Sequence, residues 1–102
     1  MKIVIAEELE RKVVDEFRKI SRVAYIPRSL EKELADADVL IVRNATNVTK
    51  KLLDKGKELK VVARAGVGLD NIDLKECERR GIKVINTPEA STISVAELTI
   101  GL

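Results

Sequence analysis

Histidine, tryptophan and glutamine are missing from this 102-residue chain, which has one cysteine, one tyrosine and one phenylalanine. A single thiol excludes an internal disulfide. Cys77 lies in a charged helical stretch with no histidine anywhere to activate it, so it reads as a buried structural thiol rather than a nucleophile. No apolar run reaches 18 residues, which excludes a helical membrane span. The start, MKIVIAEELE, has one lysine and too short an apolar stretch to be a signal peptide. The expectation is a cytoplasmic, reduced protein. Neither sign of charge is in excess: the net charge is +2. Nothing global therefore favours nucleic acid or an anionic membrane, and any anion preference must come from where particular cations sit. The lack of glutamine, beside many Lys, Glu, Ile and Val, leans toward a thermophilic source, because charge networks cost less to desolvate when hot.

What the chain does have is a soluble globular balance, 45% hydrophobic and 35% charged residues, with room for one domain around one core. Five short β-type blocks stand out: Lys2–Ala6, Arg22–Ile26, Val39–Val42, Lys60–Ala63 and Ile82–Ile85. Three are nearly continuous in Val, Ile and Leu, as strands covered on both faces should be. Helical patterns lie between them at Glu8–Lys19, Leu30–Leu34, Lys50–Lys55 and Leu74–Arg80. The first places Leu9, Val13, Phe17 and Ile20 on one stripe. Ser29, Thr49 and Asp73 can cap the other three, and Gly56 and Gly81 are natural stops. Strict alternation of strand and helix predicts an α/β fold: a doubly wound, three-layer α/β/α arrangement on a five-stranded parallel sheet. The flavodoxin-like order 2-1-3-4-5 suits five strands better than a closed barrel, which needs eight.

The final segment differs. Ser94-Val95-Ala96-Glu97 has the form of a capping box and opens a helix that is apolar on most sides, through Leu98, Ile100 and Leu102. No stop signal follows. A helix that begins well and has no end predicts a boundary cut through a larger protein. Left uncovered, Ser94–Leu102 would fray or self-associate.

In open α/β sheets ligands bind beyond the carboxyl ends of the strands, where strand order reverses. Those ends carry Glu7, Pro27, Arg43-Asn44, Arg64-Ala65-Gly66-Val67-Gly68 and Asn86-Thr87-Pro88. Arginine offers a fork of donors suited to carboxylate or phosphate, and glycines let successive N–H groups face one concavity. The position predicts a site for a small anion. Solvated rim arginines and plain turn glycines would look the same one at a time; the clustering favours a site.

Gly66-Val67-Gly68-Leu69-Asp70-Asn71 imitates the dinucleotide fingerprint G-x-G-x-x-G, with Glu89 about 20 residues on. Asn71 stands where the third glycine should let helix and strand close, the following helix is short, and the turn belongs to the fourth strand rather than the first. The fingerprint is rejected. A phosphorelay receiver is excluded because Arg43 stands where the phosphorylatable Asp would be. A flavin site would want a Ser/Thr/Gly-rich loop after the first strand, which has Glu7-Glu8, and the only aromatics are Phe17 and Tyr25.

Two stretches, LKVVARAGVGLDNID (Leu59–Asp73) and GIKVINTPEASTISVAELTIGL (Gly81–Leu102), closely resemble the D-2-hydroxyacid dehydrogenases. Arg43-Asn44-Ala45-Thr46-Asn47-Val48-Thr49 is similar to the loop that the family's phosphoglycerate dehydrogenases carry after their third strand. The resemblance spans the whole chain. It implies a two-lobed, NAD-dependent parent enzyme, with residues 1–91 as a flavodoxin-like substrate-binding lobe and 92–102 as the start of an interdomain helix, the Rossmann domain being absent. By the resemblance, Ala65-Gly66-Val67-Gly68 would offer backbone N–H groups to the substrate carboxylate, Val67 would also border the nicotinamide, and Arg43, with Asn44 beside it, would meet the anionic tail. Many members have Gly-Asn where this chain has Ala90-Ser91. Ser91 then either reaches the substrate with fewer donors or is only a turn residue.

The family's catalytic Arg, Glu and His belong to the other lobe. No catalytic residue is assigned here, no metal is implied, and the chain alone is expected to bind no NAD and to transfer no hydride. The implied ligand is a small anionic 2-hydroxy or 2-keto acid, 3-phospho-D-glycerate in serine biosynthesis if the phosphoglycerate dehydrogenase likeness holds. The alternative is a free-standing or engineered flavodoxin-like module for a small anion.

Overall fold

The computed structural model describes residues 1–66 and 68–87. Nine elements alternate along them: β1 (Lys2–Ile5), α1 (Arg11–Ile20), β2 (Arg22–Tyr25), α2 (Leu30–Leu34), β3 (Val39–Val42), α3 (Lys50–Leu53), β4 (Val61–Ala65), α4 (Leu74–Arg79) and β5 (Lys83–Thr87). All neighbouring strands are parallel, in the order β2-β1-β3-β4-β5. This is the expected flavodoxin-like topology. Strand order reverses between β1 and β3, so the crevice for a ligand opens beyond Ile5 and Val42.

The sheet's two faces follow from the period of two along a strand. Ile3, Ile5, Val39, Ile41, Val61 and Ala63 face one way and pack with Val14 and Phe17 of α1. Val4, Leu40, Val42 and Val62 face the other way and pack with Leu34, Leu53 and Cys77 of α2, α3 and α4. Every residue of β1 and β3 is buried, which explains their unbroken apolar runs; β2, at the edge, is half-exposed.

Three caps are where the sequence puts them. The side chains of Ser29, Thr49 and Asp73 accept hydrogen bonds from the backbone N–H of Lys32, Leu52 and Glu76. The first helix departs from expectation. It begins at Arg11, not Glu8, behind Glu10, which makes no side-chain cap. Its buried pair is Val14 and Phe17, while Ile20 is 48% exposed. Leu9, Val13 and Phe17 pack against one core face as expected, Leu9 from the loop before the helix; Val14 joins them there, and Ile20 does not. The fourth strand starts one residue later than expected and runs two further, so Arg64 lies inside β4 rather than after it.

Cys77 is buried, and burial pushes its thiol above the ordinary range. That fits a structural thiol. Among the described residues no helix is long and apolar enough to cross a membrane. The capping box at Ser94, the helix through Leu102 and the 1–91/92–102 boundary lie outside the described residues.

Candidate functional site

Arg43 and Asn44 leave β3 at the carboxyl edge, both exposed. The register ends with Val42 paired to Arg64; Arg43 is the first residue past it on one strand, and Ala65 leads into the glycine turn on the other. The two segments predicted to meet an anion are thus neighbours across adjacent strands.

The Arg43 loop is held from two sides. From β1, the Glu7 carboxylate crosses the β1/β3 crevice and accepts hydrogen bonds from the backbone N–H groups of Arg43 (2.6 Å), Ala45 (3.0 Å) and Thr46 (3.0 Å). Partial burial pushes the Glu7 carboxyl up, but these donors outweigh it and hold it below the usual carboxylate range. From the β4–α4 side, Asn71 Nδ2 donates to the carbonyls of Arg43 and Thr46, each at 2.7 Å. Two carbonyl partners fix the amide's orientation, since a flip would set oxygen against oxygen. The Asn71 carbonyl also accepts from Val48 N–H at 2.8 Å, and Val48 bridges to Ile72.

The guanidinium of Arg43 rests on the carbonyl of Glu8, at 3.2 Å. It has no carboxylate within salt-bridge distance among the described residues, because both Glu7 oxygens are engaged by backbone. Arg43 also lines a cleft of about 640 Å³ on the α1 side of the edge, with Arg11, Arg18, Leu9 and Tyr25 but also with Glu8 and Glu10. Arg64 is committed differently. Its side chain is buried, and Nη1 lies 3.5 Å from Asp70 Oδ1.

The turn after β4 has the backbone that glycine permits. Gly66 sits at φ +147° and Gly68 at φ +89°. A Cβ on Gly68 would also approach Arg64 Nη1 to 3.0 Å, so the glycine makes room for the Arg64–Asp70 contact. Val67 and Ser91 lie outside the described residues. A dinucleotide does not fit the described turn. Asn71 fills the third fingerprint position and is tied to the β3 loop, and α4 has six residues with the Asp73 carboxylate on its first turn, where a pyrophosphate would meet like charge. Among the described residues no group of three or more His, Cys, Asp or Glu side chains could hold a metal ion.

The sequence profile of the D-isomer specific 2-hydroxyacid dehydrogenase catalytic domain matches residues 3–100. The chain belongs to this family. It is 42% identical over 106 residues to the D-3-phosphoglycerate dehydrogenase of Methanocaldococcus jannaschii, covering all of this chain and 20% of that protein. It is 56% identical over 73 residues to the hydroxypyruvate reductase of Thermotoga maritima, covering 72% of this chain and 24% of that one. In structure it is similar to the NAD+-bound 3-phosphoglycerate dehydrogenase of Entamoeba histolytica, with a TM-score of 0.74, 32% identity, and coverage of 99% of this chain and 37% of that one. The chain therefore spans about a fifth to a third of the length of these relatives.

Within this 2-hydroxyacid dehydrogenase domain, sequence reasoning nominates Arg43 and the glycine turn but not the two side chains that hold the Arg43 loop. Glu7 figures in the sequence only as a strand-end residue and as an acid unsuited to a flavin loop, and Asn71 only as a missing glycine. The signal for Glu7 was its place directly after β1 at the switch point; Asn71 gave none.

Proposed function

We propose that this chain is the substrate-binding lobe of an NAD-dependent D-2-hydroxyacid dehydrogenase whose parent converts 3-phospho-D-glycerate to 3-phosphohydroxypyruvate. Arg43 meets the anionic tail, with Asn44 beside it, and the N–H groups of Ala65–Gly68 take the carboxylate, with Ser91 at the rim. NAD and the proton-transferring groups belong to the Rossmann domain that would follow residues 92–102. On its own the lobe holds an anion and transfers no hydride.

One observation carries this reading: at the carboxyl edge of the sheet, an exposed arginine with no carboxylate partner among the described residues leaves β3, and a turn of positive-φ glycines leaves the adjacent β4. A guanidinium offers paired donors to a carboxylate or phosphate, and glycines let backbone N–H groups face one concavity. The likeness to D-3-phosphoglycerate dehydrogenases over the full chain supports phosphoglycerate over smaller acids.

Calorimetric titration tests it. The expected result is weak binding of 3-phosphoglycerate that Arg43→Ala abolishes, and no heat with NAD. Tight NAD binding would overturn the lobe assignment. Equal binding of inorganic phosphate and 3-phosphoglycerate would favour a general anion-binding module.

A further inference from the structure

We infer that Glu7 and Asn71 are positioning residues for anion binding, a two-sided clamp that holds the Arg43–Thr46 loop with its guanidinium exposed and in no ion pair among the described residues. The inference rests on the proposed role of Arg43 and names what keeps that role available. Glu7 takes the N–H groups of Arg43, Ala45 and Thr46, and Asn71 takes the carbonyls of Arg43 and Thr46. Five backbone polar groups of one short loop are thereby turned inward, toward two side chains that come from different strand ends. What remains exposed on the loop is Arg43, Asn44 and the small Ala45.

The choice of residue types follows. A carboxylate has two oxygens and only accepts, so it can gather three N–H donors; a carboxamide presents two N–H donors to two carbonyls. Exchanging the two functions would set donor against donor at position 7 and acceptor against acceptor at position 71. An acid so close to a binding arginine would ordinarily form an ion pair with it. Glu7 stays charged but turns its oxygens to backbone N–H groups, and the Arg43 guanidinium donates instead to a neutral carbonyl, that of Glu8. The arrangement stiffens the loop without tying up its guanidinium in an ion pair. Asn71 Oδ1 is buried and accepts no hydrogen bond from the described residues, so the amide is kept there for what its nitrogen donates.

Position and charge predict opposite outcomes for Glu7→Gln. If Glu7 acted only through its charge, removing it would strengthen anion binding at Arg43. The clamp predicts weaker binding, because Gln offers one acceptor oxygen and points an N–H donor at the loop's own N–H groups. Amide hydrogen exchange read by NMR tests the clamp without any ligand. In Glu7→Gln, and separately in Asn71→Ala, the amides of Arg43, Ala45 and Thr46 should exchange faster together, by about tenfold, the size of one lost hydrogen bond. The amides of β3 and β4 should keep their protection, which confirms folding. Titration with 3-phosphoglycerate should then show weaker binding in both variants.

Unchanged exchange at those three amides in either folded variant would overturn the clamp, whatever the chain binds. Loosened amides with tighter phosphoglycerate binding in Glu7→Gln would overturn the positioning role and leave charge as the explanation. Loosened amides in a chain whose wild type binds no phosphoglycerate would refute the proposed role of Arg43 instead, and the positioning role with it, while leaving the loop contacts intact.

Discussion

Alanine at Gly68 asks two separate things of the turn after β4, and alanine at Gly81 asks only one of them. Both glycines have left-handed backbone, at φ +89° and φ +73°. An L side chain there costs about 1–2 kcal/mol. At Gly81 an added Cβ meets nothing within 4 Å, so Gly81→Ala should show that cost alone. At Gly68 the Cβ would come to 3.0 Å from Arg64 Nη1 and 3.3 Å from Asp70 Oδ1. Asp70 is 91% exposed and can swing away, but the Arg64 side chain is only 10% exposed and cannot simply move into water. Losing the 3.5 Å contact between them matters little, since one partner is solvated. Forcing the buried guanidinium off its rotamer adds about 0.5–1.5 kcal/mol. Gly68→Ala should therefore cost about 2–3 kcal/mol in all, roughly 1 kcal/mol more than Gly81→Ala. Urea denaturation of both variants measures this, with equal m-values required for the comparison. Adding Asp70→Ala to Gly68→Ala should recover part of the difference by giving Arg64 somewhere to go. Equal losses at the two glycines would refute the crowding argument, and a negligible loss at Gly81 would refute the backbone-strain argument beneath both.

Other expectations follow from the same contacts. Ile26 is the one non-glycine residue at positive φ among the described residues, at +45°, and it is 50% exposed. Ile26→Asn should raise the urea midpoint, because Asn tolerates this backbone and little apolar burial is lost; a clear drop would show that the strain is not felt. Glu7, Asp36, Asp54 and Glu76 all have folded pKa values below their ordinary ones, Glu76 down to about 2 through its hydrogen bond with Arg79. Depressed acids contribute stability that is complete above the unfolded value of 4.5 for Glu and is lost as pH falls toward the folded value. The urea midpoint should thus decline steadily between about pH 5 and pH 2, with a shallower decline in Glu76→Gln; a flat profile would contradict the assignments. Cys77, buried with a raised thiol pKa, should react with a thiol reagent only as fast as the chain unfolds, so rapid labelling of the native protein would place it elsewhere.

The sheet was legible because its determinants are local. Continuous Val and Ile runs mark β1, β3 and β4 as interior strands, and burial follows them residue by residue. Each cap at Ser29, Thr49 and Asp73 is a side chain meeting an N–H three residues on, a distance that a linear pattern can see. The start of α1 was misplaced for a local reason too. Glu8, Leu9 and Glu10 have helix-compatible side chains, and nothing in the pattern shows that the Glu8 carbonyl is held by Arg43 or that Leu9 N–H donates to the Tyr25 hydroxyl. These contacts draw the three residues into the carboxyl edge before the helix begins.

The site divides along the same line. Arg43 and the glycine turn are carried by residue type and by position after a strand, so sequence alone could nominate them. Their fitness to act is decided by partners far away along the chain. Glu7 is 36 residues from Arg43, and Asn71 is 28 from it on the other side. Arg64 shows what happens without such an arrangement: one residue nearer the sheet interior, an arginine of the same strand-end cluster is buried against its own turn and paired with Asp70. Two arginines that look equivalent in the sequence are thus a buried structural cation and an exposed one in no ion pair among the described residues. The difference lies in whether the nearest acid spends its oxygens on the side chain or on the backbone beneath it.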